Sequence, residues 1–197
     1  MSFLLNCVLF LPALGALLLL AVPRQQVAAL RRLVLYISLA TFLLSLLLLF
    51  RFESASAAMQ FVTNRVWIES PTIRYHIGVD GISLFLILLI TFLSVLCVLI
   101  SWNSVQEHVK EFFFFLLLLE TGTIGVFVAV DLFLFYVFWE VSLIPMYFLI
   151  GIWGHERRVY AALKFVLFTL VGSLFMLVAI IWLYNLFGTF DYEVILR

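Results

Sequence analysis

A run of 40 almost exclusively apolar residues, from Phe112 to Gly151, limits what this chain can fold into. An α-helix rises ~1.5 Å per residue, so one straight helix of this run would measure ~60 Å, twice the ~30 Å hydrocarbon core of a bilayer. The run therefore predicts two membrane-crossing helices that reverse direction between them. Asp131 is the expected turning point, because an exposed carboxylate there can cap the second helix and complement its dipole.

The composition indicates an integral membrane protein. With 66% hydrophobic and only 11% charged residues, the chain lacks the polar surface that a water-soluble domain needs. Its 11 basic and 11 acidic residues cancel, which gives no electrostatic basis for binding nucleic acid. The lipid bilayer is therefore the expected environment. The apolar runs are continuous and do not alternate, which favours helices over barrel strands.

Six apolar runs are long enough to cross a bilayer, since each crossing needs ~20 mostly apolar residues. We expect an all-α membrane protein in which residues 1–197 form a single membrane domain. The predicted helices cover residues 3–22, 33–50, 82–102, 112–130, 132–151 and 159–187.

The one long connection, residues 51–80, has the pattern of a small external β-hairpin. Residues 61–68 are strand-like, residues 69–71 (Glu-Ser-Pro) favour a turn, and residues 73–79 alternate in polarity. A two-stranded hairpin is marginally stable alone, so we expect it to pack on a neighbouring subunit or on the chain's own outer surface. An irregular loop outside the membrane is an equally good interpretation of this segment.

The basic residues predict which side of the membrane each connection occupies. The first apolar run has no positive segment before it and is followed by Arg24, which is typical of a retained helix and not of a cleaved signal. An amino terminus outside then places the larger basic set in the cytoplasm, as the positive-inside rule requires. The inner set is Arg24, Arg31, Arg32, Lys110, Arg157 and Arg158, against Arg51, Arg65, Arg74 and Arg197 outside.

Three ionisable residues fall inside the predicted membrane spans. An acid or a lysine near the bilayer centre costs roughly 2.5 to 3.5 kcal/mol on insertion scales, so such residues usually face a protein interior and serve a function. The helical rise places Glu120 ~12 Å, Glu140 ~16 Å and Lys164 ~8 Å from the inner boundary. The long lysine side chain could extend toward the level of either acid, and the three residues would then form a lateral row.

Such a row suits proton transfer. Burial raises the pKa of a carboxyl group and a nearby ammonium lowers it, so movement of a lysine charge changes the proton affinity of the acid. Pro145 is predicted to kink the fifth helix beside Glu140, because it has no amide hydrogen for the carbonyl of Val141. Freed backbone groups of this kind are tolerated where they line a hydrated cavity. We therefore expect Glu140, Glu120 and Lys164 to take part in proton transfer, with Glu140 the strongest candidate.

Structural roles for these residues stay open at this point. Lys164 could simply extend its charge to the inner membrane face. Glu120, which precedes Thr121, Gly122 and Thr123, could be a protonated packing residue that is hydrogen-bonded to a neighbour. Glu140 is the least easily explained in this way, because it lies deepest and next to the predicted kink.

No metal or cofactor site is expected in this chain. Cys7 and Cys97 lie in separate apolar runs, without the spacing of a disulfide framework or a metal cluster. His76, His108 and His155 occur singly in polar connections, where no ligand spacing joins them, and we expect them to be exposed to solvent.

Five stretches carry a family resemblance: residues 78–83 (GVDGIS), 131–140 (DLFLFYVFWE), 143–154 (LIPMYFLIGIWG), 160–165 (YAALKF) and 190–193 (FDYE). They resemble the M-type antiporter-like subunits, relatives of mitochondrial chain 4, of the proton-pumping NADH-quinone oxidoreductase known as respiratory complex I. The resemblance covers essentially the whole chain. The pattern Trp-Glu-x-x-x-x-Pro-Met-Tyr at residues 139–147 is closer to the M type than to the L-type and N-type relatives.

This resemblance implies a proton-translocating subunit of the membrane arm, while quinone reduction takes place elsewhere. NADH, FMN, iron–sulfur clusters and quinone would then be bound by other subunits. The implied partners are other membrane-arm chains, including the L and N types, and the implied location is the bacterial cytoplasmic membrane or an equivalent energy-transducing membrane. In the family, the glutamate at the position of Glu140 is the key acid of the fifth helix and communicates with a lysine on the seventh, whereas the pumping role of a lysine at the position of Lys164 is less established.

The resemblance further implies the first part of a fourteen-helix fold, in which two inverted five-helix repeats follow three initial helices. The remainder would belong to a separate chain or to a longer protein. Two other functions stay open: a subunit of an Mrp-type cation/proton antiporter or membrane-bound hydrogenase, and a shortened structural subunit that transports nothing. The sequence also leaves open whether the coupled ion is a proton or sodium.

Overall fold

The computed structural model describes residues 2–56 and 58–196, in which six long helices pack side by side and a two-stranded sheet covers one end. Each long helix is apolar enough and long enough to cross a membrane, which confirms the predicted crossings and a multi-pass membrane protein. The helices are α1 (Ser2–Ala21), α2 (Val27–Arg51), α3 (Gly81–Ser104), α4 (Val109–Val128), α5 (Leu132–Trp153), α6 (Arg158–Phe187) and the short α7 (Tyr192–Ile195); the strands are β1 (Gln60–Ile68) and β2 (Ile73–Val79).

Helix α2 differs most from the prediction, because it begins at Val27 and not at residue 33. Its first turns carry Arg31 and Arg32, which lie before the apolar run. The Arg31 guanidinium donates to the carbonyl oxygen of Val105 at 2.9 Å, just beyond the end of α3. Charged side chains with polar partners thus extend the helix beyond its apolar stretch.

The two ends of the bundle have different chemistry. We call the end with connections 22–26, 105–108 and 154–157 the basic end, and the end with the sheet the hairpin end. At the basic end, the Lys110 ammonium donates to the carbonyl oxygens of Leu20 and Val22, both at 2.9 Å. A positive charge at the carboxyl end of α1 is favourable for the helix dipole. Arg197, which the sequence places on the other side, lies outside the described residues.

The predicted β-hairpin is present at the hairpin end and packs on the chain itself. Its strands are antiparallel, with Asn64 opposite His76. The Tyr75 hydroxyl of β2 donates to Oδ1 of Asn6 on α1 at 2.7 Å. Burial raises the pKa of Tyr75 to about 12, which keeps this hydroxyl protonated as a donor. The hairpin is therefore anchored to the helices, and the irregular loop considered for this segment is excluded.

A buried polar cluster, His76, Asp131 and Asp191, joins the hairpin to two helix connections, and we call it the hairpin clasp. The Nδ1 atom of His76 lies 3.0 Å from Oδ2 of Asp191, the residue before α7. The His76 carbonyl oxygen accepts a hydrogen bond from the Val130 amide at 2.9 Å. The expectation that His76 is solvated was wrong, since it is 3% exposed, whereas His108 and His155 are exposed as predicted.

Asp131 caps α5 as predicted, but its carboxylate is buried and not exposed. It accepts hydrogen bonds from the amides of Phe133 and Leu134 at 3.0 Å and of Arg74 at 3.1 Å. Burial raises the pKa of Asp131, although these three hydrogen bonds act in the opposite direction. The expectation of an exposed carboxylate failed because strand β2 lies across the reversal between α4 and α5, which local sequence does not show.

The hydrophobic core lies among α1 to α4 and consists mainly of two clusters of buried side chains. One is near the hairpin end and the other near the basic end. Helix α6 packs on α5 and leaves most of its length exposed, with only Ala162, Ser173 and Ile180 buried. The face that α5 and α6 present to the outside is therefore apolar and largely uncovered.

Helices α4 and α5 approach closely through two glycines. A Cβ atom on Gly122 would lie 3.0 Å from the Ser142 Cβ, and one on Gly125 would overlap the Phe138 ring. Small residues of this kind let membrane helices pack tightly where the hydrophobic effect does not drive their association.

Gly125→Ala should destabilise the bundle, because the added methyl group forces the Phe138 ring or one of the two helices to move. Overpacking of this kind costs about 1–3 kcal/mol. Gly172→Ala on α6 is the matched control, because its Cβ would meet nothing within 4 Å. Thermal unfolding of the purified protein in detergent measures the difference, and equal melting temperatures for the two variants would contradict the packing.

His76→Ala should weaken the attachment of the α6 end to the hairpin, because it removes the partner of a buried carboxylate. Such an unpartnered buried group costs about 1–3 kcal/mol. His76→Asn keeps a nitrogen near the position of Nδ1 and should retain part of the stability, and His155→Ala at an exposed position should have little effect. The measurement is the melting temperature together with the rate of limited proteolysis near residue 188. A His76→Ala protein that resists protease as well as the parent would exclude the clasp as a stabilising contact.

Candidate functional site

The packing of α4 against α5 fixes the relative depth of the two membrane acids. Gly122 faces Ser142 and Gly125 faces Phe138, so the helices are antiparallel and Glu140 is level with about residue 124 of α4. With a helical rise of ~1.5 Å per residue, Glu140 lies ~6 Å nearer the hairpin end than Glu120. Both acids are therefore close to the middle of their helices, as the sequence predicts.

Glu140 lies at the interface between α5 and α6, beside an apolar groove of about 500 Å³. Its Oε1 atom is buried and has no hydrogen-bond partner within the part of the chain that the structure describes. The other groove residues are apolar or aromatic and come from both helices: Val141, Leu143, Ile144, Tyr147, Leu163, Val166 and Leu170.

One polar side chain approaches this acid from the hairpin side. Tyr136 precedes Glu140 by one helical turn, and its hydroxyl faces both the Glu140 carboxyl and the Ser173 hydroxyl of α6. Residues four apart lie on the same helix face, so α5 itself positions Tyr136 above Glu140. Sequence analysis missed Tyr136 and Ser173. The four-residue spacing from Tyr136 to Glu140 could have indicated Tyr136, because it places both side chains on one helix face. No local pattern identifies Ser173.

Glu120 faces the opposite direction, into the bundle of α1 to α4. It is 2% exposed, and neither of its carboxyl oxygens has a hydrogen-bond partner among residues 2–56 and 58–196. The Ser94 hydroxyl of α3 faces the carboxyl group, but its distance and angle do not complete a hydrogen bond. The alternative role for Glu120 was that of a packing residue with a hydrogen bond to a neighbour. The described residues do not supply that hydrogen bond.

Lys164 is exposed and does not join the two acids. Its Nζ atom lies 5.9 Å from the ring centroid of Tyr160, one turn nearer the basic end, and it lines a second groove on α6. Gly151 faces Ala162, which makes Lys164 level with about residue 149 of α5. Glu140 is nine residues away from that level, or ~13 Å along the helix axis. The structure thus does not form the lateral row that the sequence suggested, because Lys164 lies too near the basic end.

Pro145 is buried within α5, which is helical from Leu132 to Trp153. The proline nitrogen cannot donate to the carbonyl of Val141, so that carbonyl, one residue after Glu140, lacks its usual helical partner. The kink itself stays a prediction. The described residues contain no group of three or more His, Cys, Asp or Glu side chains that could hold a metal ion, and Cys7 and Cys97 are not bonded to each other.

The arrangement consists of two mid-membrane carboxyl groups on opposite sides of the α4–α5 pair. One is enclosed, and the other borders an open groove. An ionised carboxylate in either place is unfavourable without a cation or hydrogen-bond donors, so each group is suited to binding and releasing a proton as its surroundings change. The chemistry that two such carboxyl groups can perform is acid–base chemistry.

Comparison with known proteins agrees with this arrangement. The family model described as "NADH:quinone oxidoreductase/Mrp antiporter, TM" matches residues 129–197. The chain is 42% identical over 193 residues to NADH-ubiquinone oxidoreductase chain 4 of Marchantia polymorpha, covering 98% of this chain and 39% of the relative. It is 46% identical over 195 residues to NADH-quinone oxidoreductase subunit M of Rhodobacter capsulatus, covering 97% and 38%.

Solved structures share the fold. A chain of respiratory complex I from Thermus thermophilus matches with a TM-score of 0.82 at 33% identity, over 98% of this chain and 38% of that one. A chain of the Mrp complex from Dietzia sp. DQ12-45-1b has a TM-score of 0.81 at 16% identity, over 98% and 20%, which shows a common fold alone. This chain spans about two fifths of the length of the relatives that it matches. It belongs to the family of antiporter-like membrane subunits and corresponds to the amino-terminal portion of the M-type and chain 4 members.

Proposed function

We propose that this chain supplies part of a proton-translocating subunit in the membrane arm of an NADH-quinone oxidoreductase, with Glu140 as its proton-binding group. The observation that carries the proposal is the Glu140 carboxyl, which lies near mid-membrane with one buried oxygen unpartnered and an apolar groove beside it. The names of its relatives support the enzyme complex. Because the chain spans only part of those relatives, the activity would belong to the assembled protein.

The groove explains how Glu140 would exchange a proton. In an apolar environment, a carboxyl group is neutral unless a positive charge approaches, and it then releases its proton readily. The described ion pairs do not include Glu140 or Lys164, so the controlling charge would come from residues beyond this chain. The family resemblance supplies such a group, a lysine on a seventh helix. Glu140 would thus bind the proton, and the controlling lysine would approach it from the uncovered face of α5 and α6.

Glu120 and Lys164 take secondary roles in this proposal. Glu120 would be a second proton-binding group, which the α4–α5 contact separates from the Glu140 groove. Lys164 would raise the positive potential at the basic end and would not exchange protons directly with Glu140, because the two side chains line different grooves. Pro145 would keep the helix backbone beside Glu140 accessible to polar groups.

We infer the orientation and the partners from charge and from the relatives. Six described basic residues are associated with the basic end, whereas Arg51, Arg65 and Arg74 lie at the hairpin end, so the basic end would face the cytoplasm and the amino terminus the outside. The membrane would be the bacterial cytoplasmic membrane or an equivalent one. Partners would be other membrane-arm subunits, including L-type and N-type chains, and other subunits of the complex would bind NADH, FMN, iron–sulfur clusters and quinone.

A second candidate is a subunit of an Mrp-type cation/proton antiporter or a related membrane complex. The observations that favour it are the family description, which includes Mrp antiporters, and the fold shared with the Mrp complex. In that case the same Glu140 site would exchange protons without NADH oxidation. Proton translocation driven by NADH in membranes that contain the chain, compared with translocation driven by a sodium gradient, distinguishes the two and identifies the coupled ion.

Glu140→Gln should abolish NADH-driven proton pumping in the assembled enzyme, since glutamine has the same shape and cannot bind the proton. Positioned proton-transfer groups contribute on the order of 10²- to 10⁴-fold, so we expect pumping to fall by about 100-fold or more. The measurement is acidification across sealed vesicles, with assembly checked by the amount of intact complex and Glu156→Gln at an exposed connection as the control. Unchanged pumping with normal assembly would remove this role and favour a structural subunit, in which changes around Trp67 of the hairpin should disturb assembly instead.

Lys164→Met should reduce pumping much less than Glu140→Gln, because Lys164 is exposed and ~13 Å from the level of Glu140. We expect a loss of about twofold to threefold, which corresponds to the modest worth of an exposed charge. The vesicle assay above measures both variants side by side. A loss as large as that of Glu140→Gln would show that Lys164 takes part directly.

A further inference from the structure

The two core clusters of the α1–α4 bundle are separated by a layer of polar side chains. Near the hairpin end the apolar cluster includes Leu48, Ile87 and Ile124, and near the basic end it includes Ile37, Val98 and Leu117. On α2, α3 and α4, the residues between these members carry hydroxyl or carboxyl groups. Thr121 also lies between them, but its hydroxyl donates to the Leu117 carbonyl oxygen of its own helix at 3.1 Å. We call the other residues that carry these groups the middle layer: Ser38, Thr41, Ser45, Thr91, Ser94 and Glu120, all of them buried.

Half of the middle layer has complete hydrogen bonds within the protein. The Thr41 hydroxyl donates to the carbonyl oxygen of Ile37 at 2.9 Å, and that of Thr91 lies 2.9 Å from the Ile87 carbonyl oxygen. The Ser45 and Thr91 hydroxyls are 2.8 Å apart and link α2 to α3. These three side chains therefore have hydrogen-bond partners, and the Ser45–Thr91 contact also holds two helices together.

In the other half, the Ser38 and Glu120 side chains are not satisfied. The Ser38 hydroxyl, fully buried, and both oxygens of Glu120 have no hydrogen-bond partner in the described parts of the chain. Ser38 and Glu120 are each 11 residues from the basic-end start of their helices, and Ser94 is 10 residues from the basic-end terminus of its helix. All three therefore lie at the same depth, ~15–17 Å from the basic end. Two residues on different helices, Ser38 and Glu120, thus have unpartnered polar atoms at one level of the same helix bundle, which points to a shared site.

We propose that the middle layer is a binding site for internal water, held by the Glu120 carboxyl and the Ser38 and Ser94 hydroxyls. Buried water typically makes two to four hydrogen bonds to polar groups that otherwise lack partners, and these side chains supply both donors and acceptors. The site belongs to α2, α3 and α4, and it is distinct from the Glu140 groove between α5 and α6. It gives Glu120 a hydration shell of its own, through which its proton can exchange.

This proposal concerns bound water and does not depend on proton translocation. The test is a high-resolution structure of the assembled complex that contains this chain, together with infrared difference spectra of the same complex in H₂O and D₂O. Glu120→Gln assigns the carboxyl band of Glu120. We expect density for at least one water within hydrogen-bonding distance of Glu120 and Ser38. We also expect a carboxyl band that shifts in D₂O.

Ser38→Ala removes one of the groups that would hold the water, so the Glu120 carbonyl should lose its hydrogen bond from that water and its band should move to higher frequency. Thr41→Val is the matched control on the same helix and in the same layer, since its hydroxyl already donates to Ile37, and it should leave the band unchanged. Three results would overturn the proposal: a direct bond between Glu120 and a protein group with no water density, a bound cation whose density depends on sodium, or equal bands in both variants and the parent. Loss of pumping in Glu140→Gln bears on the proposed function alone.

Discussion

Hydrocarbon offers no hydrogen-bond partners, and this constraint explains most of the structure. The helices satisfy their own backbones, so the demanding positions are those where the chain leaves a helix. At the hairpin end the connections around Val130 and Phe190 solve this by pairing with β2 and with each other: the Val130 amide donates to the carbonyl of His76, and the Leu132 amide to that of Phe190. The His76–Asp191 contact adds a side-chain bond to the same junction. The hairpin therefore supplies hydrogen-bond partners to the backbone of the helix connections and is an integral part of the bundle.

The same constraint applies to the two membrane carboxyl groups, which have oxygens without a hydrogen-bond partner. Close contact at Gly122 and Gly125 presses α4 against α5 and turns Glu120 and Glu140 to opposite sides of the pair. Glu120 is enclosed by the amino-terminal helices, where the Ser94 hydroxyl faces it. Glu140 borders a groove that opens toward the uncovered face of α5 and α6. Two acids at nearly the same depth thus lie in separate environments, and a change at one site need not alter the other.

Local sequence predicted the features that depend on local physics. Run length gave the six crossings, alternation gave the two strands, and an acid between two apolar runs gave the cap at Asp131. The failures involve contacts between distant residues: His76 and Asp191 are 115 positions apart, and strand β2 is what buries Asp131. The lateral row failed for a related reason, because helix packing places Lys164 ~13 Å from the level of Glu140 and turns Glu120 and Glu140 to opposite sides of the α4–α5 pair. The hydroxyls at positions 38, 41, 45, 91 and 94 recur at helical spacing and were a usable signal for the polar layer.

The Coulomb interaction weakens with distance, and this limits which charge could control the protonation of Glu140. At an effective dielectric constant of ~20, a cation 4 Å from a carboxylate interacts by about 4 kcal/mol, whereas one at 13 Å interacts by about 1 kcal/mol. Lys164 is level with a point ~13 Å from Glu140 along the helix axis, and its ammonium lies near the Tyr160 ring toward the basic end, so it resembles the second case. Its exposure weakens the interaction further. A shift large enough to change the protonation of a membrane acid therefore requires a cation that enters the groove itself. Since the walls of that groove are apolar apart from Glu140 and the Tyr147 hydroxyl, the cation must come from whatever covers α5 and α6. In the proposed function, the amino-terminal portion would hold the proton acceptor, and its covering partner would determine when the proton is released.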